Sequence, residues 1–195
     1  MIRNTARTKR LIIRPLKIRD YKAWFDAYTK SPTKKSKYDR GGYPESTCTL
    51  KKFKSNLNRY QKMSNTDTTY VWGVFEKKTH ELIGILDISI ICRGSLQVAN
   101  LGYRVFNRFW KMGYGKEFVR AGILLGFKNL KLNRLEAVID PDNKASIRLA
   151  KSVGMVNEGL RKKYYYQNKM WADQKIFSAQ REDWHLPKLH VSIDN

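Results

Sequence analysis

The residues of this chain best placed to do chemistry lie in the stretch Trp110-Lys111-Met112-Gly113-Tyr114-Gly115-Lys116-Glu117. Two glycines flank a tyrosine, lysines stand on either side, and an apolar run follows at once. The start of a helix leaves its first amide N–H groups without partners and carries about half a positive charge. Glycines just before it let the backbone turn those amides onto a shared anion, and Lys111 and Lys116 add countercharge. Many helices begin after glycine for steric reasons, so G-x-G alone does not separate an anion cradle from a plain turn. A nucleotide P-loop needs G-x-x-x-x-G-K-[ST], whereas here the glycines are one residue apart and Glu117 follows Lys116. The dinucleotide fingerprint needs a further glycine where Phe118 stands.

Other chemically capable residues follow in the C-terminal half. Asn143 opens a helical stretch, where capping by itself favours Asn, and Ser146 stands in its first turn. Glu158 is the one carboxylate near the run Tyr164-Tyr165-Tyr166. If that run is a strand, Tyr164 and Tyr166 share one face and Tyr165 takes the other; core packing is the plain reading of each. His80, His185 and His190 are not spaced as metal ligands, and no G-x-S-x-G or Cys–His signature occurs, so no metal is expected. Cys48 and Cys92 give neither a metal-ligand spacing nor a disulfide framework. A reducing cytoplasm is the simplest home.

The chain has 195 residues, 42% apolar and 12% aromatic, enough to build a core and too apolar for disorder. A single domain over 1–195 is expected, with a core from 8 to 184. No window approaches a continuous apolar span, which argues against a membrane helix. Lys and Arg number 39 against 17 Asp and Glu, a net charge of +22. Such a field draws in anions, whether nucleic acid, ribosomes or phosphorylated small molecules. The charge is spread along the chain, with only short runs such as Lys34-Lys35 and Arg161-Lys162-Lys163, so a generally basic surface explains it equally well.

The elements that must position these residues are legible from periodicity. Leu11 to Arg14 is a short strand ended by Pro15. A helix starts at Arg19-Asp20 and stops before Ser31-Pro32, and residues 32 to 46 form a long loop of the kind that carries substrate contacts. Leu50, Phe53, Leu57 and Tyr60 repeat at helical spacing over residues 47 to 62. Tyr70 to Phe75, Leu82 to Leu86 and Val98 to Phe106 are strands. Phe118 to Leu130 is a helix, Leu135 to Ile139 a strand covered on both faces, and Pro141-Asp142-Asn143 opens a helix closed by Gly154 at C′. Met155 to Tyr166 and Met170 to Ala179 are strands joined through Gln167-Asn168-Lys169. The order predicts an α+β fold of about seven strands in a mixed, mostly antiparallel sheet with about four helices.

Four ordered motifs carry a resemblance to a known family. Leu101-Gly102-Tyr103 followed by Trp110 to Glu117 is similar to the acetyl-CoA-binding segment of the GNAT N-acetyltransferases, with its Q/R-x-x-G-x-G/A pattern. Trp110 in the first place, Asp140-Pro141-Asp142-Asn143-Lys144-Ala145-Ser146, and Gly154-Met155-Val156-Asn157-Glu158-Gly159 resemble the RimJ/RimL-like branch that acetylates ribosomal-protein N-termini. The opening Thr8 to Leu16 resembles that family's first strand.

The resemblance implies acetyl-CoA as acetyl donor, no metal, and a fourth strand splayed from the fifth. Lys111, Met112, Gly113, Tyr114, Gly115 and Lys116 would hold the pyrophosphate. The backbone of Tyr103, Arg104 and Val105 would meet the pantetheine arm and the thioester carbonyl. Asn143 would reach the pantetheine or simply cap its helix, and Arg148 would meet phosphate or water. Ser146 would protonate the departing thiolate or be an ordinary first-turn serine. Some relatives carry a base where this chain has Asn100, which takes no proton. Counting from another member puts a base near Tyr165, and Glu158 is readable as base or as structure. A peptide α-amine titrates at about 7.7–8.0, so part of it is neutral at pH 7 and a water chain could suffice. The leading expectation is acetyl transfer to a protein N-terminal α-amine, with a ribosomal or RNA-associated target suiting the charge. The alternatives are a small amine acceptor and, third, a non-enzymatic nucleic-acid-binding module. Either a monomer or a homodimer is compatible.

Overall fold

In the computed structural model, which describes residues 5–167, 169–187 and 189, the strands form one sheet. They are β1 (Ala6–Arg7), β2 (Leu11–Arg14), β3 (Thr69–Glu76), β4 (Leu82–Cys92), β5 (Val98–Val105), β6 (Arg134–Ile139), β7 (Val156–Gln167) and β8 (Met170–Gln180). The helices are α1 (Tyr21–Thr29), α2 (Leu50–Asn65), α3 (Tyr114–Asn129) and α4 (Lys144–Ser152). The sheet order is β1-β2-β3-β4-β5-β6-β8-β7, antiparallel except where β5 meets β6. A parallel neighbour needs a crossover connection, and α3 supplies it. The count is eight strands rather than about seven, because Ala6–Arg7 adds a two-residue edge opposite Ile12 and Ile13.

The expected splay is present between β5 and β6, the fourth and fifth strands of the sequence order. They pair only through Val98–Arg134, Ala99–Leu135 and Asn100–Glu136. Beyond Asn100, β5 runs on to Val105 with β4 as its only strand neighbour among the described residues. A wedge opens there on the β6 side.

Alternation along the strands sorts the two faces. Leu86 and Ile88 of β4 and Leu135 of β6 point at α3, where Gly122 and Gly126 let the helix lie close. A Cβ at Gly122 would sit 2.6 Å from a Leu86 methyl, and one at Gly126 would sit 2.8 Å from a Leu135 methyl. On the opposite face α1 and α2 bring an aromatic layer, with Trp24 and Phe53 rings 5.1 Å apart and Tyr28 edge-on to Phe106 at 5.1 Å. The core runs through both layers, from Leu11 and Trp24 to Phe127 and Phe177.

Three boundaries differ from the sequence expectation. Helix α3 begins at Tyr114 instead of Phe118, because Gly113 is its N-cap in the left-handed region at φ 75° and the first turn carries no apolar stripe. Strand β4 continues past Leu86 to Cys92, with Ile88 still buried and the last two residues, Ile91 and Cys92, exposed. Helix α2 starts at Leu50, with Thr49 accepting from the Lys52 amide as cap, after a separate turn at Glu45–Thr47.

Candidate active site

The two glycines of the loop serve different purposes. A Cβ at Gly113 would approach nothing closer than Arg10 Nη2 at 3.5 Å, so its requirement is the positive φ that turns the chain into α3. Gly115 sits in the first turn, where a Cβ would press to 3.2 Å from Leu149 of α4 and 3.4 Å from Val105 of β5. Lys111 is also left-handed, at φ 65°. Two such residues around Met112 fold the loop back on itself.

That fold is pinned from a distance. Arg10 donates from Nε to Glu117 Oε2 at 2.7 Å and from Nη1 to the Met112 carbonyl at 2.9 Å, and it stacks over the Tyr114 ring at 4.3 Å. Thr8 Oγ1 and the Arg10 amide both donate to Glu117 Oε1, at 2.6 and 2.8 Å. Burial works to raise the Glu117 pKa, but these bonds outweigh it and hold the carboxyl below its ordinary value. With the Met112 carbonyl taken by Arg10, the opening amides of α3 at Tyr114, Gly115 and Lys116 are left facing outward. No carbonyl inside the helix reaches them. Trp110 donates its indole N–H to the Val105 carbonyl at 2.8 Å, tying the loop to the end of β5. Lys111 and Lys116 are exposed beside it.

Beside this loop, the unpaired half of β5 meets α4. The hydroxyls of Tyr103 and Ser146 lie 2.8 Å apart, and the Tyr103 hydroxyl also lies 3.3 Å from the Ser146 carbonyl. Burial raises the Tyr103 pKa above its ordinary 10.0, against a smaller opposing effect of the Ser146 bond. Asn143 caps α4, its Oδ1 accepting from the Ser146 amide at 3.2 Å, which leaves its Nδ2 free of that duty. Arg148 is exposed on the same helix. Arg104 contributes no backbone donor to this edge, because its N–H and C=O point to Ile85 of β4 while Tyr103 and Val105 turn theirs outward. The Arg104 side chain turns to the other face, over Tyr28 and Phe106 at 5.4 and 4.8 Å, and donates to the Gly41 carbonyl.

On that other face lies a cavity of about 530 Å³, walled by α1, α2, β3, β4 and β5 with Tyr38 and Arg40 of the long loop at its mouth. Asp87 of β4 sits inside, opposite Gly102 of β5. At the split between β5 and β6, Asn100 Oδ1 is buried without a hydrogen-bond partner among the described residues. Sequence reasoning passed over Asp87. The available signal was a single acid inside the apolar run Leu82 to Ile90.

The two remaining catalytic candidates stand elsewhere. Glu158 of β7 is gripped by both ends of the Arg134 guanidinium, one bond at 2.7 Å, and accepts from Ser178 Oγ at 2.7 Å. Arg134 draws its pKa down to about 2, which makes it a poor proton acceptor at neutral pH. Tyr165 is 55% exposed and pairs in register with Ala172. The core reading of Tyr164, Tyr165 and Tyr166 is corrected: all three are exposed, because β7 is an edge strand with β8 as its only neighbour among the described residues. Asn168 and His190 lie outside the described residues. Among the described residues no three His, Cys, Asp or Glu side chains gather as a metal would require, and no helix is long and apolar enough to cross a membrane.

Comparison with known proteins identifies the fold and the family. An N-acetyltransferase of Bacillus subtilis, YnaD, is 30% identical over 178 residues, covering 91% of this chain and 97% of that protein. The [ribosomal protein uS5]-alanine N-acetyltransferase of Escherichia coli is 26% identical over 140 residues, 72% of each chain. The fold is shared with Mycobacterium smegmatis RimJ in complex with CoA-disulfide, at TM-score 0.73 and 21% identity over 92% of this chain and 85% of that one. The acetyltransferase (GNAT) domain model matches residues 10–156, and the chain belongs to the GNAT acetyltransferases.

Proposed function

We propose that this N-acetyltransferase moves the acetyl group of acetyl-CoA to the N-terminal α-amine of a protein, with a ribosomal protein as the target class. One observation carries the reading of the donor site: the free opening amides of α3 lie beside the stretch of β5 that β6 abandons. Amides at a helix start suit a pyrophosphate, and a strand edge without a partner suits the amide-bearing arm behind it. The chain's own residues fit that group. A side chain at position 115 would fill the space between α3, β5 and α4, and the buried Asn100 Oδ1 is an acceptor in want of a donor at the same split.

The cosubstrate supplies an activated acetyl thioester; the protein supplies position and protons. Backbone N–H groups of Tyr103 and Val105, the residues whose amides point away from β4, would donate to the carbonyl oxygen as negative charge grows on it, an effect worth about 10²–10³ in rate for one good donor. Tyr103 Oη, kept protonated by burial and hydrogen-bonded to Ser146 Oγ, is the group from which the leaving sulfur would draw its proton. Ser146, the sequence candidate for that role, then orients the phenol and refills it. Asn143 and Arg148 on α4 are assigned to the pantetheine and phosphate side.

The protein acceptor rests on the E. coli relative, whose name gives an alanine of ribosomal protein uS5, and on the charge of +22, which suits a target assembled with RNA. Two measurements test this. Isothermal titration with acetyl-CoA should give saturable binding. Mass spectrometry of an extract lacking the enzyme, after the purified protein and acetyl-CoA are added, should show newly acetylated protein N-termini. Acetylation confined to small amines such as polyamines would move the acceptor class.

A further inference from the structure

Asp87 differs from the other part-buried acids of this protein. Asp20 is bonded by Arg14, Asp67 by Arg93, Glu117 by Arg10, and Glu136 and Glu158 by Arg134. Asp87 is half-buried and has no hydrogen bond or ion pair among the described residues, and burial raises its pKa. An ionised group left this way is costly unless something arrives to pair with it.

Its position fixes what would arrive. A Cβ on Gly102 would lie 2.5 Å from both Asp87 carboxylate oxygens, so the carboxylate lies over the β5 backbone where only glycine leaves room. Gly102 is in the half of β5 that β6 does not cover. The carboxylate is therefore about one strand spacing, roughly 5 Å, from the open edge assigned to the thioester. It reaches that edge from the face opposite α3 and α4, where the cavity opens.

The mouth of the cavity has the opposite charge. Arg40 and Arg59 are exposed there, and Arg104 lies deeper against Tyr28 and Phe106. None of the three is in an ion pair among the described residues, although the same chain pairs arginines with acids repeatedly. A lone carboxylate inside and arginines outside complement a molecule with an ammonium at its tip and an anion just behind. A polycation would meet the arginines first.

We infer that Asp87 receives the acceptor's ammonium and removes its proton, and that Arg40 and Arg59 select acceptors with an anionic group a few ångströms from that amine, such as a peptide with acidic residues after its N-terminus. This rests on the acetyl-CoA reading above. The proton goes from nitrogen to an Asp87 oxygen; the neutral nitrogen bonds to the thioester carbonyl carbon; the C–S bond breaks. The second nitrogen proton leaves with the sulfur by way of Tyr103, and Asp87 returns its own proton to water. The titratable or charged groups around Asp87 are Tyr28, Tyr38, Arg40, Arg59, Tyr60, Tyr103 and Arg104, with β3 adding only Thr69 and Val71.

The test uses the full chain and two hexapeptides, one opening Ala-Glu-Asp and one opening Ala-Lys-Lys. Peptide affinity is measured by calorimetry without cosubstrate, acetyl-CoA affinity separately, and turnover from pH 6 to 9. The wild type should favour the acidic peptide by about 10-fold or more in both Kd and kcat/KM. Asp87→Asn should keep its acetyl-CoA affinity, weaken both peptides, and lower kcat on the order of 10²-fold at pH 7. That loss should shrink towards pH 9, where the amine is already neutral. Arg40→Gln with Arg59→Gln should abolish the preference between peptides. An Asp87→Asn protein within 2-fold of wild type in peptide affinity and kcat overturns the inference, as does equal or reversed peptide preference in the wild type. A wild type without acetyl-CoA affinity overturns the donor reading instead, and peptide binding then still decides the role of Asp87.

Discussion

The Tyr103 hydroxyl lies 2.8 Å from Ser146 Oγ, joining the uncovered half of β5 to the first turn of α4. If the phenol delivers a proton to the leaving sulfur, Tyr103→Phe should lower kcat on the order of 10²-fold while KM for acetyl-CoA stays within a few-fold. Burial raises this phenol above 10.0, so it remains protonated throughout the neutral range and adds no basic limb to the kcat profile below about pH 10. Ser146→Ala should cost less, and the double variant no more than Tyr103→Phe alone, since the two act as one relay. Steady-state kinetics of the three proteins check this; additive losses would separate the residues.

The glycine loop makes a prediction that distinguishes conformation from space. Gly113→Ala imposes a left-handed φ on a residue with a Cβ, a strain of about 1–2 kcal/mol. It should lower the melting temperature and weaken acetyl-CoA only modestly, because nothing but Arg10 stands near that Cβ. Gly115→Val drives methyls into Leu149 and Val105. It should weaken acetyl-CoA by more than 10-fold in a calorimetric titration, with the first turn of α3 pushed off β5.

Asn143 has two atoms with separable duties. Its Oδ1 caps α4 at the Ser146 amide, worth about 1 kcal/mol, so Asn143→Ala should destabilise the fold by that amount. Asn143→Asp keeps an acceptor for the cap and places negative charge at a helix start, which restores stability. It lacks the Nδ2 donor. If that donor reaches the pantetheine, Asn143→Asp melts like wild type yet shows a raised KM for acetyl-CoA; if it restores both, Asn143 is a cap alone.

Element order was legible because the hydrophobic period changes cleanly between helices and strands, and because Gly154 and Asn143 mark the ends of α4. The first turn of α3 was not, since Gly115 packs by lacking a side chain and Glu117 is anchored by Arg10, 107 residues away in sequence. The Tyr103–Ser146 pair spans 43 residues and follows only from knowing that β5 lies under α4. Asp87 was visible as a lone acid in an apolar strand, but its relation to Gly102 is a matter of register, which periodicity does not supply. The tyrosines of β7 misled for a related reason. A strand at the end of a sheet buries far less than its composition implies, and position in the sheet order is a tertiary fact.

Glu158 provides the last test, one in which pH and catalysis should part. Arg134 and Ser178 hold it, and its pKa lies at about 2 against an ordinary 4.5. A carboxyl whose folded pKa is depressed contributes stability that is present above its unfolded value and lost as the pH falls through the folded one. The window is therefore about pH 4.5 down to 2. The side chain is 34% exposed and solvent screens the pair, so Glu158→Gln should cost only about 1 kcal/mol at pH 7. Arg134 also keeps Glu136 as a partner, which limits the loss further. Thermal melts of the two proteins should differ at pH 7 and converge as the pH drops from 5 towards 3. Turnover at pH 7 should stay within about 2-fold of wild type once the variant is folded, because a carboxyl already ionised and bound to arginine has little capacity to take a proton from an amine. A large fall in kcat at unchanged melting temperature would return Glu158 to the catalytic set.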